Sequence, residues 1–516
     1  MSFINELQNN LTNDTQFNSS VTENGALGYG TTGKALLDLN FKVASLRGTT
    51  EECIINLFMK AFYEHKLFAV KWLFYARDVR EGLGERRLFR VISKHLCTHN
   101  PEVLRELIQY IPEYGRWDDM WELLDTPYAT DVLDIISSQL HKDKAGMKYN
   151  ADLQPDASIS LLAKWLPSVN ASSTRTRMRA HQIRKYLGFN ERSYRKLLST
   201  MRSYLRVVEK YMSHNQWGDI DYEAVPSRAN LIYNNAFLRH DEERRRAFLG
   251  ALERGEAKIN SSVLYPHDIV HNYVQGGWSL SLKPYDAALE GMWKGLPDIV
   301  NGSGNTIVVA DGSGSMTTGV GGTKVSALSV ANALAIYFAE RSNGQFKDKY
   351  ITFSHKPQLV DFSQCTSLRE KIEVALRYDE VSNTNIEAVF DLILKTAISK
   401  NMEQSELPHN ILIVSDMEFD GCASTNNGKL GKRLFAAIAF KFQEHGYVLP
   451  RLIFWNVNSR TGTIPVIEND LGVALVSGYS VNIIKMVLSG ELDPYKCLIE
   501  QLISERYAPI MLTPGA

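Results

Sequence analysis

The stretch Thr306-Ile-Val-Val-Ala-Asp311-Gly-Ser313-Gly-Ser315-Met316 decides how the second half of this chain folds. A short apolar run ends in an aspartate, followed by two serines spaced by glycines. Its length and composition are those of a strand buried on both faces of a parallel sheet. The glycines let the backbone turn tightly and approach a ligand. A carboxylate and two hydroxyls therefore gather at the carboxyl end of a strand, where open α/β sheets bind their ligands. Hard oxygen donors of this kind suit Mg²⁺, Mn²⁺ or Ca²⁺. Rival motifs fail on the residues. A dinucleotide fingerprint begun at Gly312 needs a third glycine where Thr317 stands, and there is no Gly-Lys-Ser/Thr for a P-loop. Gly312 and Gly314 sit directly beside Ser313, which is not the spacing of a hydrolase elbow.

Two later segments extend the oxygen set. Val381-Ser-Asn-Thr384-Asn385 is a polar loop opening an amphipathic helix, and His409-Asn-Ile-Leu-Ile-Val-Ser415-Asp416 is a second buried-type strand ending on an aspartate. Asp311, Ser313, Ser315, Thr384 and Asp416 together offer oxygen without nitrogen or sulfur. The pattern resembles the von Willebrand factor A domain with its metal-ion-dependent adhesion site, which implies a bound divalent cation, Mg²⁺ first. A vestigial, metal-free version of the site is the alternative.

A chain of 516 residues is long enough for more than one domain. Its 44% hydrophobic and 22% charged content is that of a globular protein. No apolar run reaches the roughly 18 residues needed to cross a bilayer, and no secretory leader is visible, so no membrane role and a cytoplasmic location are expected. Five scattered cysteines fit a reducing compartment better than a disulfide framework. Residues 1–34, rich in Asn, Thr, Ser and Gly, read as a flexible arm or loop. Apolar residues at three-to-four spacing predict helices through 35–300, arranged as a HEAT-like solenoid or ring. From 301 to 516 strands alternate with helices, which predicts a parallel doubly wound α/β domain.

The helical half carries a basic run: Lys164, Arg175, Arg177, Arg179, Arg184, Lys185, Arg192, Arg195, Lys196, Arg202, Arg206 and Lys210, interleaved with Trp165, Tyr186, Tyr194 and Tyr204. Arginines with aromatics hold nucleic-acid backbones and stack unpaired bases, and Arg195, Arg202 and Arg206 have spacings that place them on one helical face. The net charge of −1 excludes a uniformly basic protein but not a local patch. A solvated face with core-packed aromatics has the same composition. His267 and His271 stand one turn apart, but Asp268 lies where zinc proteases carry Glu, so helix-start packing is expected there. Glu418 and Asp420 read either as acceptors for metal-bound water or as exposed turn carboxylates.

A helical array followed by a metal-site A domain resembles the Ro autoantigen (TROVE-domain) proteins. In detail the chain resembles a family related to Ro, through Arg80-Glu-Gly-Leu-Gly-Glu-Arg-Arg-Leu-Phe-Arg90, Ile111-Pro-Glu-Tyr-Gly-Arg-Trp-Asp-Asp119, Ala163-Lys-Trp-Leu-Pro167, Val225-Pro-Ser-Arg-Ala229, Tyr265-Pro-His-Asp268 and Ser415-Asp-Met-Glu-Phe-Asp420. The resemblance to Ro implies helical repeats closed into a ring by the A domain, an outer surface that binds small structured RNAs, and a hole that takes single-stranded ends. It makes Lys164–Lys210 the candidate RNA surface. The expectation is a monomeric, non-enzymatic RNA-binding scaffold. A protein-interaction adaptor, gripping a partner's carboxylate through the metal, is the alternative.

Overall fold

The computed structural model describes residues 18, 20–23, 27–153, 159–275, 281–300, 305–353, 356–378, 385–419, 432–465, 473–480, 482–483 and 493–512. The chain is mostly helical in its N-terminal part and carries a mixed sheet in its C-terminal part. Ten strands are described: β1 Ser20–Val21, β2 Leu27–Gly28, β3 Val274–Gln275, β4 Ser281–Leu282, β5 Thr306–Asp311, β6 Lys349–Phe353, β7 Leu359–Asp361, β8 Asn410–Ser415, β9 Arg451–Asn456 and β10 Val473–Ser477. The last six form one sheet in the order β10-β9-β8-β5-β6-β7. Counted along the chain this is 3-2-1-4-5-6, the order of doubly wound sheets. All neighbours are parallel except β7, which returns antiparallel to β6. The expected all-parallel sheet therefore has an antiparallel edge. Three residues on an edge, with Leu359 half exposed, are too few to show a period.

β5 is buried at every position, and β8 at every position after its first. Continuous burial of this kind demands helices on both faces. The Ala327–Arg341 helix covers one face, packing on β5, β6 and β8, with Ala327 through Ala339 all buried. Its alanines allow close approach to the strands, while Phe338 meets Trp455 edge-on at 5.9 Å.

Compact units do not divide at residue 301 as the composition suggests. One unit comprises Met1–Val70 with Ser261–Ala508, the other Lys71–Asn260 with Pro509–Ala516. The Pro266–Tyr273 helix packs on Ala327–Arg341. Trp293 donates its indole N–H to Glu340 at 2.6 Å, and its ring meets Tyr337 edge-on. At the other end, Asn456 donates to the carbonyl of Phe41 at 2.9 Å and Ala44 donates its N–H to Ser477 Oγ at 3.2 Å. Helical periodicity reports which face of a helix is buried, not what it is buried against, so this division was not legible.

The described residues of the expected arm or loop make specific contacts. β1 and β2 pair antiparallel, and Tyr29 exchanges backbone hydrogen bonds with Ile464 at 2.9 and 2.8 Å. A side chain at Gly28 would stand 2.5 Å from the Thr463 methyl group, so glycine is needed for the approach. Thr32 N–H and Oγ1–H both donate to Asp38 at 2.7 Å. Here the small polar residues are bonding groups rather than a mark of disorder.

In the second unit Pro112 lies in the short Ile111–Tyr114 helix, and Gly115-Arg116 lead from it into a 3₁₀ segment, Trp117–Asp125. Asp119 is the hub. Arg77 reaches it at 2.7 and 2.8 Å, Arg90 at 2.7 Å, and the N–H of Arg116 at 3.0 Å. Arg77 is only 2% exposed and Asp119 not at all at its side chain. Removing one partner of such a pair leaves an uncompensated buried charge. Asp119→Ala should cost about 3–5 kcal/mol, read as a lower denaturation midpoint in urea. Asp118→Ala, on a more exposed carboxylate, should cost clearly less.

Candidate functional site

β5 and β8 lie side by side, with Ala310 opposite Val414. The chain leaves β5 toward β6 on one side and later returns to β8 on the other, so their carboxyl ends flank the topological switch point. Asp311 and Asp416 both arrive there buried, 1% and 0% exposed. Ser415 Oγ donates to Asp311 Oδ2 at 2.5 Å, tying the two strand ends together. The N–H of Ser313 donates to Asp311 Oδ1 at 2.9 Å, and the hydroxyls of Ser313 and Ser315 share a 2.9 Å hydrogen bond. Four of the five predicted metal residues thus belong to one locus. Thr384 lies outside the described residues. Asn385 is described, and its side chain caps the Ile386–Lys400 helix by accepting from the N–H of Ala388.

The donor set fits a hard divalent cation. Asp416 Oδ1 accepts the Glu418 N–H at 3.2 Å, while Oδ2 is sealed from solvent and has no hydrogen bond among the described residues. Arg460 stands 3.5 Å from it. A buried carboxylate oxygen without a donor is costly, and a cation removes the cost. No group of three or more His, Cys, Asp or Glu side chains converges among the described residues. The donors are therefore two carboxylates with serine hydroxyls, a set in which water completes the coordination. Burial, and then the neighbouring Asp311, push the Asp416 carboxyl up to about 7, against the pull of the Ser315 hydroxyl, the Glu418 N–H and Arg460.

Glu418 fits neither expectation for it. It is fully buried and structural. One oxygen accepts the N–H groups of Arg460 and Thr461 at 2.8 and 2.9 Å; the other accepts the N–H of Glu23 at 2.8 Å. Asp420 lies outside the described residues. Arg460 was missed by sequence reasoning. It bridges Asp416 and Glu23 from a loop remote from both, and nothing local marks it.

The basic segment divides sharply. Arg175 and Arg179 pair with Glu122 at 2.8 and 3.0 Å. Arg177 donates to the carbonyls of Ala171 and Ser172, and Arg184 to His181 Nδ1 and the Phe189 carbonyl. Arg202 is inward-facing, closing the carbonyls of Ala163 and Leu166 at 2.9 and 2.8 Å. Arg206 lies beyond the Glu191–Tyr204 helix in a left-handed conformation, so the expected face of Arg195, Arg202 and Arg206 does not form. Lys185, Arg192, Arg195, Lys196 and Arg206 are exposed, and Lys164 is half-buried beside Trp165. Tyr194 is core, donating to the Pro167 carbonyl at 3.0 Å, whereas Tyr186 is exposed. Trp165 carries Arg116 stacked on its ring at 4.0 Å. His267 is buried against Tyr265 and Tyr479, at the helix start where Asp268 accepts the Tyr265 N–H, which places it in packing.

The raised Asp416 carboxyl has a measurable consequence in chelator. Between about pH 4 and about pH 7 the native state holds a proton that the unfolded chain has released, so stability falls as pH rises through that window. Asp416→Asn should remove this slope, a change on the order of a few kcal/mol. Urea denaturation of both proteins at each end of the window checks it. Parallel slopes would contradict the prediction.

Residues 305–502 match a family described as a domain of unknown function, DUF7788. Residues 125–305 match a second, DUF2828, described in the same terms. Among solved structures, the Ro (RSR) protein of Deinococcus radiodurans is similar at a TM-score of 0.40 and 12% identity, over 88% of this chain and 93% of that one. No described helix is long and apolar enough to cross a membrane. Uncharacterized protein L728 of Acanthamoeba polyphaga mimivirus is 30% identical, over 96% of this chain and 88% of its own length. The chain belongs to the family of that mimivirus protein.

Proposed function

We propose that this protein is a cytoplasmic, monomeric RNA-binding scaffold of Ro type, with a divalent cation at the switch point of its A-like domain. The observation that carries the reading is the meeting of Asp311, Ser313, Ser315 and Asp416 at the carboxyl ends of β5 and β8, with a sealed Asp416 oxygen lacking a donor. Those residues, with Thr384, would hold Mg²⁺ or another hard cation, which supplies a fixed positive charge for an incoming carboxylate or phosphate. Ser313 and Ser315 bond to each other, and Ser415 is committed to Asp311, an arrangement suited to ligation rather than nucleophilic attack. The helical region, in this reading a HEAT-like, TROVE-like array, offers RNA the exposed Arg192, Arg195 and Lys196 of the Glu191–Tyr204 helix.

The adaptor reading has an observation of its own. Arg175, Arg177, Arg179, Arg184 and Arg202 are engaged within the protein, so the basic run overstates the free positive charge. In that reading the cation grips an acidic side chain of a protein partner, and RNA takes no part.

The two readings separate cleanly. Purification from native cells at mild salt, with crosslinking and sequencing, should recover a small structured RNA. In filter binding, Arg192→Glu with Arg195→Glu and Lys196→Glu should weaken retention about 100-fold or more, with a salt slope shallower by about 2. Unchanged affinity in a folded triple variant overturns the RNA assignment. Capture of a protein that survives ribonuclease and is lost in Asp311→Ala would establish the adaptor instead.

A further inference from the structure

A cavity of about 520 Å³ opens between the Glu51–Glu64 helix, the end of the Ala35–Lys42 helix and the Ser459–Gly462 loop. Its volume is within the range of small-molecule sites. Its lining is unusual in charge: Lys42, Lys60 and Arg460 face one carboxylate, Glu52. Neither lysine forms an ion pair among the described residues, and Arg460 is held between Glu23 and Asp416. Lys42 is anchored by donating to the Gly30 carbonyl at 3.0 Å. Burial holds its ammonium below the usual lysine range, Asp38 opposes that shift and Lys60 adds to it. The amino end of the 14-residue Glu51–Glu64 helix, capped by Thr50, adds its partial positive charge to the same wall. The hydroxyls of Thr49 and Ser459 already donate, to the Leu46 carbonyl at 3.1 Å and to Glu418 at 3.4 Å, whereas the buried Ser45 hydroxyl of the same wall has no hydrogen bond among the described residues.

Concave lysines and an arginine with the Ser45 hydroxyl and a helix amino end constitute a recognition set for phosphate. We propose that this cavity is a phosphate-monoester site, which takes the terminal phosphate of a nucleotide, free or at the 5′ end of an RNA. The phosphate's negative charge is opposite to that of the two lysines, and the remaining volume accommodates the attached nucleoside. None of its lining residues belongs to the basic run or to the proposed cation ligands, although Arg460 also stands 3.5 Å from Asp416.

The test uses the full chain in chelator. Calorimetric titration with adenosine 5′-monophosphate should show saturable binding that adenosine lacks. Lys60 is exposed, so Lys60→Glu should fold and weaken binding about tenfold or more, while Lys60→Arg retains it. Should Lys60→Glu fail to fold, Lys60→Met replaces it with the same expected loss. Short RNAs with a 5′ phosphate or a 5′ hydroxyl distinguish the two sources. Preference for the phosphorylated RNA over the mononucleotide assigns the site to an RNA end, and equal affinity assigns it to a free nucleotide. Either supports the proposal. Absence of phosphate-dependent binding in the wild type, or wild-type affinity in folded Lys60→Glu, overturns it.

Discussion

The buried carboxylate of Glu418 is the constraint on which the candidate site depends. Three backbone N–H groups converge on it, from Glu23, Arg460 and Thr461, with the Thr461 hydroxyl at 3.1 Å from both oxygens. They come from opposite ends of the chain and meet just beyond β8. A buried charge is tolerated only when its lone pairs are filled, so these segments are held where their hydrogen bonds reach. The Arg460 and Glu23 side chains are thereby brought beside Asp416.

This arrangement links the Asp311–Asp416 locus to the cavity beside the Glu51–Glu64 helix. Arg460 lines the cavity and also stands 3.5 Å from the sealed oxygen of Asp416. One cationic side chain thus serves two anionic demands, and the short pairing with Glu23 gives it a third position. In the other compact unit, Asp119 plays a comparable part by gathering Arg77, Arg90 and the Arg116 N–H. Both hubs are single carboxylates that organise remote segments, and both lie in motifs quoted from the sequence, where their spacing gave no hint of the partners.

The amino-acid sequence by itself determined the elements and the oxygen donors. β5 and β8 are apolar runs ending in aspartate, and strand period, glycine turns and donor chemistry are local properties read from adjacent residues. The helix at Ala327–Arg341 and the strand at Arg451–Asn456 were legible for the same reason. β10 was not, because four apolar residues and a serine have no period that separates strand from helix.

Tertiary structure alone decided what each charge is for. Arg195 and Arg202 are both arginines of one helix, yet one is exposed and the other closes buried carbonyls. Asn, Thr and Gly before residue 35 look like a solvated arm, yet Thr32 and Gly28 are committed to close contacts. Composition records how polar a residue is, whereas its role depends on which distant group fills its hydrogen bonds. That pairing is a property of the packed chain.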